Sequence, residues 1–161
     1  LQKKAEKIEL FITDVDGVLT DGRIVLGNNG EEFKFFHVQD GMGLKLAQEA
    51  GIEVAIITGR ESKLVQQRAD ELAIEEVHQN IKDKIKVFNS LLEKQGINAE
   101  EAAYIGDDVN DLPILEQVGL ALTVANGVDK VKEEADYVTD KEGGRGGVRE
   151  AVELILEYKE C

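Results

Sequence analysis

Two acidic clusters in this chain have residue types and spacing suited to chemistry. Asp14 and Asp16 lie two apart in DVDGVLTDG, directly after the apolar run IELFIT, and Asp107, Asp108, Asn110 and Asp111 fall in GDDVND after AAYI. Carboxylates crowded at a strand end repel one another and call for a compensating cation. An all-oxygen donor set that leaves room for water favours Mg²⁺. The chemistry that fits is phosphoryl transfer through an aspartate. A carboxylate, here Asp14, attacks phosphorus to give an acyl phosphate, which splits hydrolysis into two easier steps. An anionic nucleophile meeting an anionic phosphate needs positive charge between them. Lys84, in DKIKVF, is expected to add some on the phosphoryl oxygens, while Thr58 and the backbone N–H of Gly59, in ITGR, supply hydrogen bonds. Asp16 can protonate the leaving oxygen and later take a proton from water.

These residues must be brought together by the elements around them. Short β-rich runs, IELFIT, EVAIIT, AAYI and GLALTV, with shorter ones near Val77 and near Tyr137–Val138, alternate with longer runs of helical spacing: GLKLAQEA, SKLVQQRADELA, KIKVFNSLLEKQ and VREAVELILEY. This is the pattern of an α/β fold, a Rossmann-like parallel sheet with helices on both faces. Functional groups of such a sheet gather at the carboxyl ends of its strands, so Asp14, Asp16, Thr58, Gly59, Arg60, Asp107, Asp108, Asn110 and Asp111 are expected on one rim, with Lys84 reaching it from the start of a helix. Residues 23–38, RIVLGNNGEEFKFFHV, interrupt the alternation and read as an inserted hairpin turning at Gly27-Asn28-Asn29-Gly30. The hairpin holds Phe33, Phe35 and Phe36, and an isolated two-stranded ribbon is marginal in water, so it either folds back on the domain or packs against another chain, and the second is the expectation.

The composition narrows the partners. The 161 residues are 42% hydrophobic, which suits one domain spanning 1–161, and the formal charge of −14 disfavours nucleic acid and anionic membrane as partners. No window approaches the roughly 20 apolar residues of a membrane span, and no targeting segment opens the chain. The single cysteine, Cys161, leaves no internal disulfide, and a cytoplasmic location is expected.

In combination and in this order, DVDGVLT, ITGR, the lysine of DKIKVF and GDDVND resemble the four motifs of the haloacid dehalogenase superfamily of phosphatases. The resemblance implies Asp14 as nucleophile, Asp16 as acid/base, Thr58 and Lys84 as phosphate binders, and Mg²⁺ held by Asp14, Asp107 and the main-chain carbonyl of Asp16. Asp108, Asn110 and Asp111 become a supporting shell. Neither gap between motifs has room for a cap domain. GNNGEE, HVQDGMGLK, EVAIITGR, GDDVNDLPIL, ADYVT and GGRGGVREAVELIL extend the likeness to nearly the full length, and the family they resemble is the capless, tetrameric 3-deoxy-D-manno-octulosonate 8-phosphate phosphatases of lipopolysaccharide precursor synthesis. Gln39 stands where some members carry arginine, and the chain ends at Cys161 where others have a longer tail.

For the substrate, a helix starting near Gly43 would point backbone N–H groups of Gly41 and Gly43 at an anion. Arg60 adds a planar cation suited to a carboxylate. His37, Val38, Gln39, Asp40, Gly41, Arg60, Arg68 and Lys84, with Asp16, are the candidate substrate-binding set, and together they imply an acidic sugar phosphate. By the resemblance this is the eight-carbon 3-deoxy acid, handled by a homotetramer joined through the hairpins. A nine-carbon sialic-type acid 9-phosphate is the alternative, Arg60 favouring the shorter acid, and a DNA-end phosphatase fits the acidic surface poorly. From a different class, a receiver-type signalling module also phosphorylates an aspartate, but its acidic pair follows the first strand, whereas Asp107 and Asp108 come late. An EF-hand is disfavoured because Gly17 is fourth in the loop and a strand precedes it.

Overall fold

The computed structural model describes residues 1–159, so Cys161 lies outside the described residues. In chain order the elements are α1 (Gln2–Ala5), β1 (Leu10–Thr13), β2 (Val25–Leu26), β3 (Glu32–Phe33), α2 (Val38–Glu49), β4 (Glu53–Ile57), α3 (Lys63–Glu71), β5 (Glu76–His78), α4 (Lys84–Gln95), β6 (Ala102–Gly106), α5 (Leu112–Leu115), β7 (Leu120–Thr123), α6 (Asp129–Glu134), β8 (Tyr137–Val138) and α7 (Gly147–Lys159). Six strands form one sheet in the order β5-β4-β1-β6-β7-β8, and every pairing is parallel. The chain leaves β1 toward β4 on one side and later returns to β6 on the other. That reversal puts a crevice beyond the carboxyl end of β1.

Alternation along the central strands divides the core into two layers. Phe11, Val54, Ile56, Ala103 and Ile105 face a cluster completed by Leu44, Ala47, Val65, Ala69, Val148 and Val152. Leu10, Ile12, Ala55, Ile57, Ala102 and Tyr104 face the opposite cluster with Phe88, Leu91, Ile114 and Val131. Burial on both faces explains why these strands read as unbroken apolar runs.

The expected strands are all present, and α4 covers the predicted run from Lys84 to Gln95. Gly96 closes that helix in the left-handed conformation at φ 68°. Three features differ from the sequence reading. First, α2 begins at Val38 rather than Gly43, capped by His37, whose Nδ1 accepts from the Gln39 N–H at 3.1 Å. Second, the hairpin ladder is only two residue pairs long, Val25 with Phe33 and Leu26 with Glu32. Within its turn only Gly30 takes a positive φ, at 83°. Third, α1, α5 and α6 were not anticipated. Each spans six residues or fewer, too short for a helical period to show.

Candidate active site

The carboxyl ends of β1, β4 and β6 form the rim. Asp14, Asp16, Thr58, Gly59, Arg60, Asp107, Asp108 and Asn110 line one open cleft of about 200 Å³. β1 delivers Asp14 with its backbone still in register, since its N–H donates to the Ile105 carbonyl at 3.1 Å. Its carboxylate is almost fully buried; Oδ1 accepts from the Val15 N–H at 2.7 Å, and Oδ2 lies 3.0 Å from Lys84 Nζ. Gly17 then turns the chain at φ 87°, where an L side chain is strained and a Cβ would run into the Asp107 carboxylate. This glycine lets the β1 loop close over the second acidic cluster.

Beneath Asp14 lies a fully buried polar knot. Asp111 Oδ1 accepts from Lys84 Nζ at 2.7 Å and from the Tyr104 hydroxyl at 2.6 Å, while Oδ2 accepts from the backbone N–H groups of Asp107 and Asp108 at 3.0 and 3.2 Å. Lys84 Nζ also donates to the Tyr104 oxygen at 3.3 Å. Its three donors are thus directed at Asp14, Asp111 and Tyr104. The lysine therefore stands behind the nucleophile candidate and is absent from the cleft lining, where the sequence reading had it touching phosphate directly.

Electrostatics follow from this crowding. Burial, then the charge of Asp111, raise the Asp14 carboxyl to about 6, with Lys84 pulling the other way. Burial, then Asp14, Asp111 and Asp108, raise Asp107 to about 7. Burial works against the Lys84 ammonium, but Asp14 and Asp111 outweigh it and hold its pKa above that of an ordinary lysine. One oxygen each from Asp14, Asp107 and Asp111 lies within 4.8 Å of the others. Asp111 already accepts four hydrogen bonds, so Asp14 and Asp107 are the carboxylates with capacity left for a cation. An all-oxygen set in which both carboxyls hold protons unusually tightly without a metal fits a small hard dication.

The remaining substrate-binding candidates separate from this cleft. Of the set outside the motif residues, Arg60 alone lines it. Arg68 sits over the Phe36 ring at 5.9 Å, pairs with Glu71 at 3.0 Å, and lines a neighbouring groove of about 150 Å³ with Lys34, Phe36, Leu64 and Gln67. The expected anion site at Gly41 is overturned: its N–H donates to the His37 carbonyl inside α2 and is not free. A Cβ on Gly43 would meet the backbone of Arg149 at 3.0 Å, so this glycine serves the close approach of α2 to α7. Asp40 is buried and accepts from the Gly146 and Arg149 N–H groups at 3.3 and 3.0 Å, holding the start of α7. His37 is the α2 cap, while Val38 and Gln39 are exposed beside it. Met42, in the first turns of α2, is half exposed. Gly143 and Gly144, in the connection into α7, are anchored. Gly144 N–H donates to Val18 and Gly143 N–H to Asn126 Oδ1, whose amide in turn reaches the Gly17 carbonyl.

Two groups missed in the sequence stand at the cleft edge. Lys34 Nζ lies 2.6 Å from Asp16 Oδ1, and Glu32 lies 3.3 Å from Lys34 and 3.4 Å from Arg60. The available signal was the alternation in EFKFF, which puts Glu32 and Lys34 on the face opposite Phe33 and Phe35.

A parallel sheet with an aspartate pair beyond its first strand, a threonine-glycine turn beyond the neighbouring strand and a lysine-bound acidic cluster beyond the other defines a phosphotransfer-type hydrolase. A family model described as haloacid dehalogenase-like hydrolase matches residues 74–152. The 3-deoxy-D-manno-octulosonate 8-phosphate phosphatase KdsC of Escherichia coli K12 is 52% identical over 95% of this chain and 81% of its own length. The crystal structure of the Moraxella catarrhalis 3-deoxy-D-manno-octulosonate 8-phosphate phosphatase, in complex with a magnesium ion, a phosphate ion and KDO, superposes with a TM-score of 0.97 at 45% identity, covering 99% of this chain and 91% of that one. The cobalt-bound Haemophilus influenzae phosphatase gives 0.94 at 40% identity, covering 98% and 92%. The chain belongs to the 3-deoxy-D-manno-octulosonate 8-phosphate phosphatase family of haloacid dehalogenase-like hydrolases.

Proposed function

We propose that the protein is a Mg²⁺-dependent phosphatase that hydrolyses 3-deoxy-D-manno-octulosonate 8-phosphate to the free sugar acid and phosphate. The observation that carries this reading is the buried Asp14 carboxylate, braced by Lys84 at 3.0 Å and opening onto a cleft shared with Asp16, Thr58, Gly59 and Asp107. Asp14 attacks phosphorus and forms an aspartyl phosphate. Asp16 gives its proton to the leaving sugar oxygen and then takes one from the attacking water. Thr58 and the Gly59 N–H hold phosphoryl oxygens, and Lys84 compensates charge from behind Asp14. Asp14, Asp107 and the main-chain carbonyl of Asp16 would hold Mg²⁺, which when bound supplies positive charge between nucleophile and phosphate. Asp108 and Asn110 line the outer cleft, and Asp111 fixes Lys84 and the backbone of the acidic loop. Arg60, at the cleft mouth, is suited to the sugar carboxylate. Arg68 and residues 37–41 stand outside the cleft of their own chain, so a substrate role for them depends on a neighbouring subunit.

An exposed apolar patch supports the same reading. Ile24, Leu26, Phe33, Phe35 and Val38 are all more than half exposed, an apolar patch spanning the hairpin and the start of α2. A homotetramer joined through these hairpins would cover both the patch and the open cleft. Among the described residues no helix is long and apolar enough to cross a membrane, and the charge of −14 opposes nucleic acid, in keeping with a cytoplasmic enzyme acting on a small molecule.

The test is kcat/KM across a panel of the eight-carbon acid 8-phosphate, a nine-carbon sialic-type acid 9-phosphate, glucose 6-phosphate and a 3′-phosphorylated oligonucleotide. The eight-carbon acid should lead by at least about tenfold, the discrimination one well-placed charged contact provides. Equal values for it and glucose 6-phosphate would refute the substrate assignment.

A further inference from the structure

The hairpin carries a charged face as well as an apolar one. From Glu32 to Phe36 burial alternates: Phe33 and Phe35 are 52% and 56% exposed, whereas the Lys34 side chain is only 2% exposed. An ammonium so deeply placed must be paired, and Lys34 has two carboxylate partners, Asp16 Oδ1 at 2.6 Å and Glu32 Oε1 at 3.3 Å. Glu32 also reaches Arg60 at 3.4 Å. The series Asp16–Lys34–Glu32–Arg60 therefore ties the loop after β1 to the loop after β4 through the second arm of the hairpin, which belongs to neither. Asp16 depends on this tie, because no other hydrogen bond or ion pair to its carboxylate is found among the described residues. Asp14, by contrast, is held by Val15 and Lys84.

We propose that Lys34 is a positioning residue: it holds the Asp16 carboxyl at the angle from which a proton reaches the leaving oxygen, so that the hairpin, and not the catalytic loop alone, sets the efficiency of leaving-group departure. The proposal rests on the reading of Asp16 as proton donor. A proton matters when the leaving group is an alkoxide as the P–O bond breaks, and hardly at all when it is a stable phenolate. Loss of Lys34 therefore impairs alkyl phosphates selectively. Damage to folding, or to phosphate binding, would lower both kinds of substrate together.

The experiment measures kcat/KM, which reports the step up to Asp14 phosphorylation, for ethyl phosphate and p-nitrophenyl phosphate. Neither carries a carboxylate that Lys34 could bind directly. The intact protein is compared with Lys34→Met, Lys34→Arg and Asp16→Asn. Lys34→Met should lower the alkyl-to-aryl ratio by roughly tenfold or more, in the direction set by Asp16→Asn, which removes the donor outright. Lys34→Arg, which retains the charge, should stay within about threefold of the parent ratio. It keeps the test decisive if the methionine variant folds poorly, since an arginine variant with a collapsed ratio would contradict positioning by charge. An unchanged ratio in Lys34→Met alongside a collapsed one in Asp16→Asn overturns the Lys34 role alone. A ratio unmoved by Asp16→Asn overturns the proton-donor reading, and the Lys34 role falls with it.

Discussion

The Lys84 ammonium lies 2.7 Å from Asp111 Oδ1, and this pair forms the floor under Asp14, whose Oδ2 is 3.0 Å from the same nitrogen. Asp111 is wholly buried and its acceptor capacity is filled by Lys84, Tyr104 and two backbone N–H groups. An amide there must aim its NH₂ either at Lys84 and the Tyr104 hydroxyl or at the two N–H groups. Asp111→Asn should therefore lose on the order of 1–3 kcal/mol of stability, the cost of leaving buried donors without an acceptor while Lys84 keeps Asp14 as its partner, and at least tenfold in kcat. Urea unfolding within about 0.5 kcal/mol of the parent would show that the knot contributes little.

The acidic clusters make metal binding depend on pH. The Asp14 and Asp107 carboxyls titrate near 6 and 7 in the folded protein, above the ordinary value of 3.8. Groups whose folded pKa is raised stabilise the metal-free fold when protonated, and that contribution disappears as pH rises from about 4 through 7. A dication takes the ionised pair, so its stabilisation grows over the same interval. Saturating Mg²⁺ should raise Tm by several degrees, about 5–10 °C, at pH 8 and by much less at pH 5. Asp107→Asn should abolish the shift while making the metal-free protein more stable at pH 8. Equal shifts at both pH values would contradict the two-aspartate metal site.

Phe35 is more than half exposed, with the Arg23 guanidinium 5.6 Å from its ring centroid. If the hairpin patch is an intersubunit surface, Phe35→Asp places a carboxylate in it and should dissociate the assembly at micromolar concentration, with activity falling alongside. Sedimentation of the unmodified protein as a fully active 17.7 kDa monomer would exclude a tetramer-dependent site.

Arg60 is the substrate-side cation that lines the cleft, paired only loosely with Glu32 at 3.4 Å. Removing a charge-assisted contact costs about 1.5–3 kcal/mol. Arg60→Ala should thus lower kcat/KM for the eight-carbon acid roughly 10- to 100-fold and leave glucose 6-phosphate almost unaffected. A ratio unchanged by the substitution would remove Arg60 from carboxylate recognition.

The rim was legible in the sequence for a physical reason. β1, β4 and β6 are buried on both faces, so they read as continuous apolar runs, and whatever follows such a run must emerge at the rim. Lys84 was legible as a helix start but not as a residue lying behind Asp14, because its partners come from β6 and the loop after it. The stretch from His37 to Gly41 was misread where glycine was taken as punctuation. Gly41 and Gly43 lie inside α2, and Gly43 lets that helix approach the backbone of Arg149, a contact that no local pattern encodes. Asp40 is similarly opaque, since the N–H groups it holds lie more than a hundred residues away at the start of α7. Lys34 was overlooked because the flanking phenylalanines dominate its segment, although their outward alternation implies that the lysine points inward.

The central claim is that Asp14 itself becomes phosphorylated. Rapid acid quench during steady-state turnover of 3-deoxy-D-manno-octulosonate 8-phosphate with Mg²⁺, followed by mass spectrometry of the peptide containing DVDGVLT, measures this directly. The account predicts a phosphate adduct on Asp14, absent without Mg²⁺ and absent in Asp14→Asn, which should retain the fold and lose turnover. Full turnover by Asp14→Asn, or a phosphate adduct on another residue in its place, would contradict it.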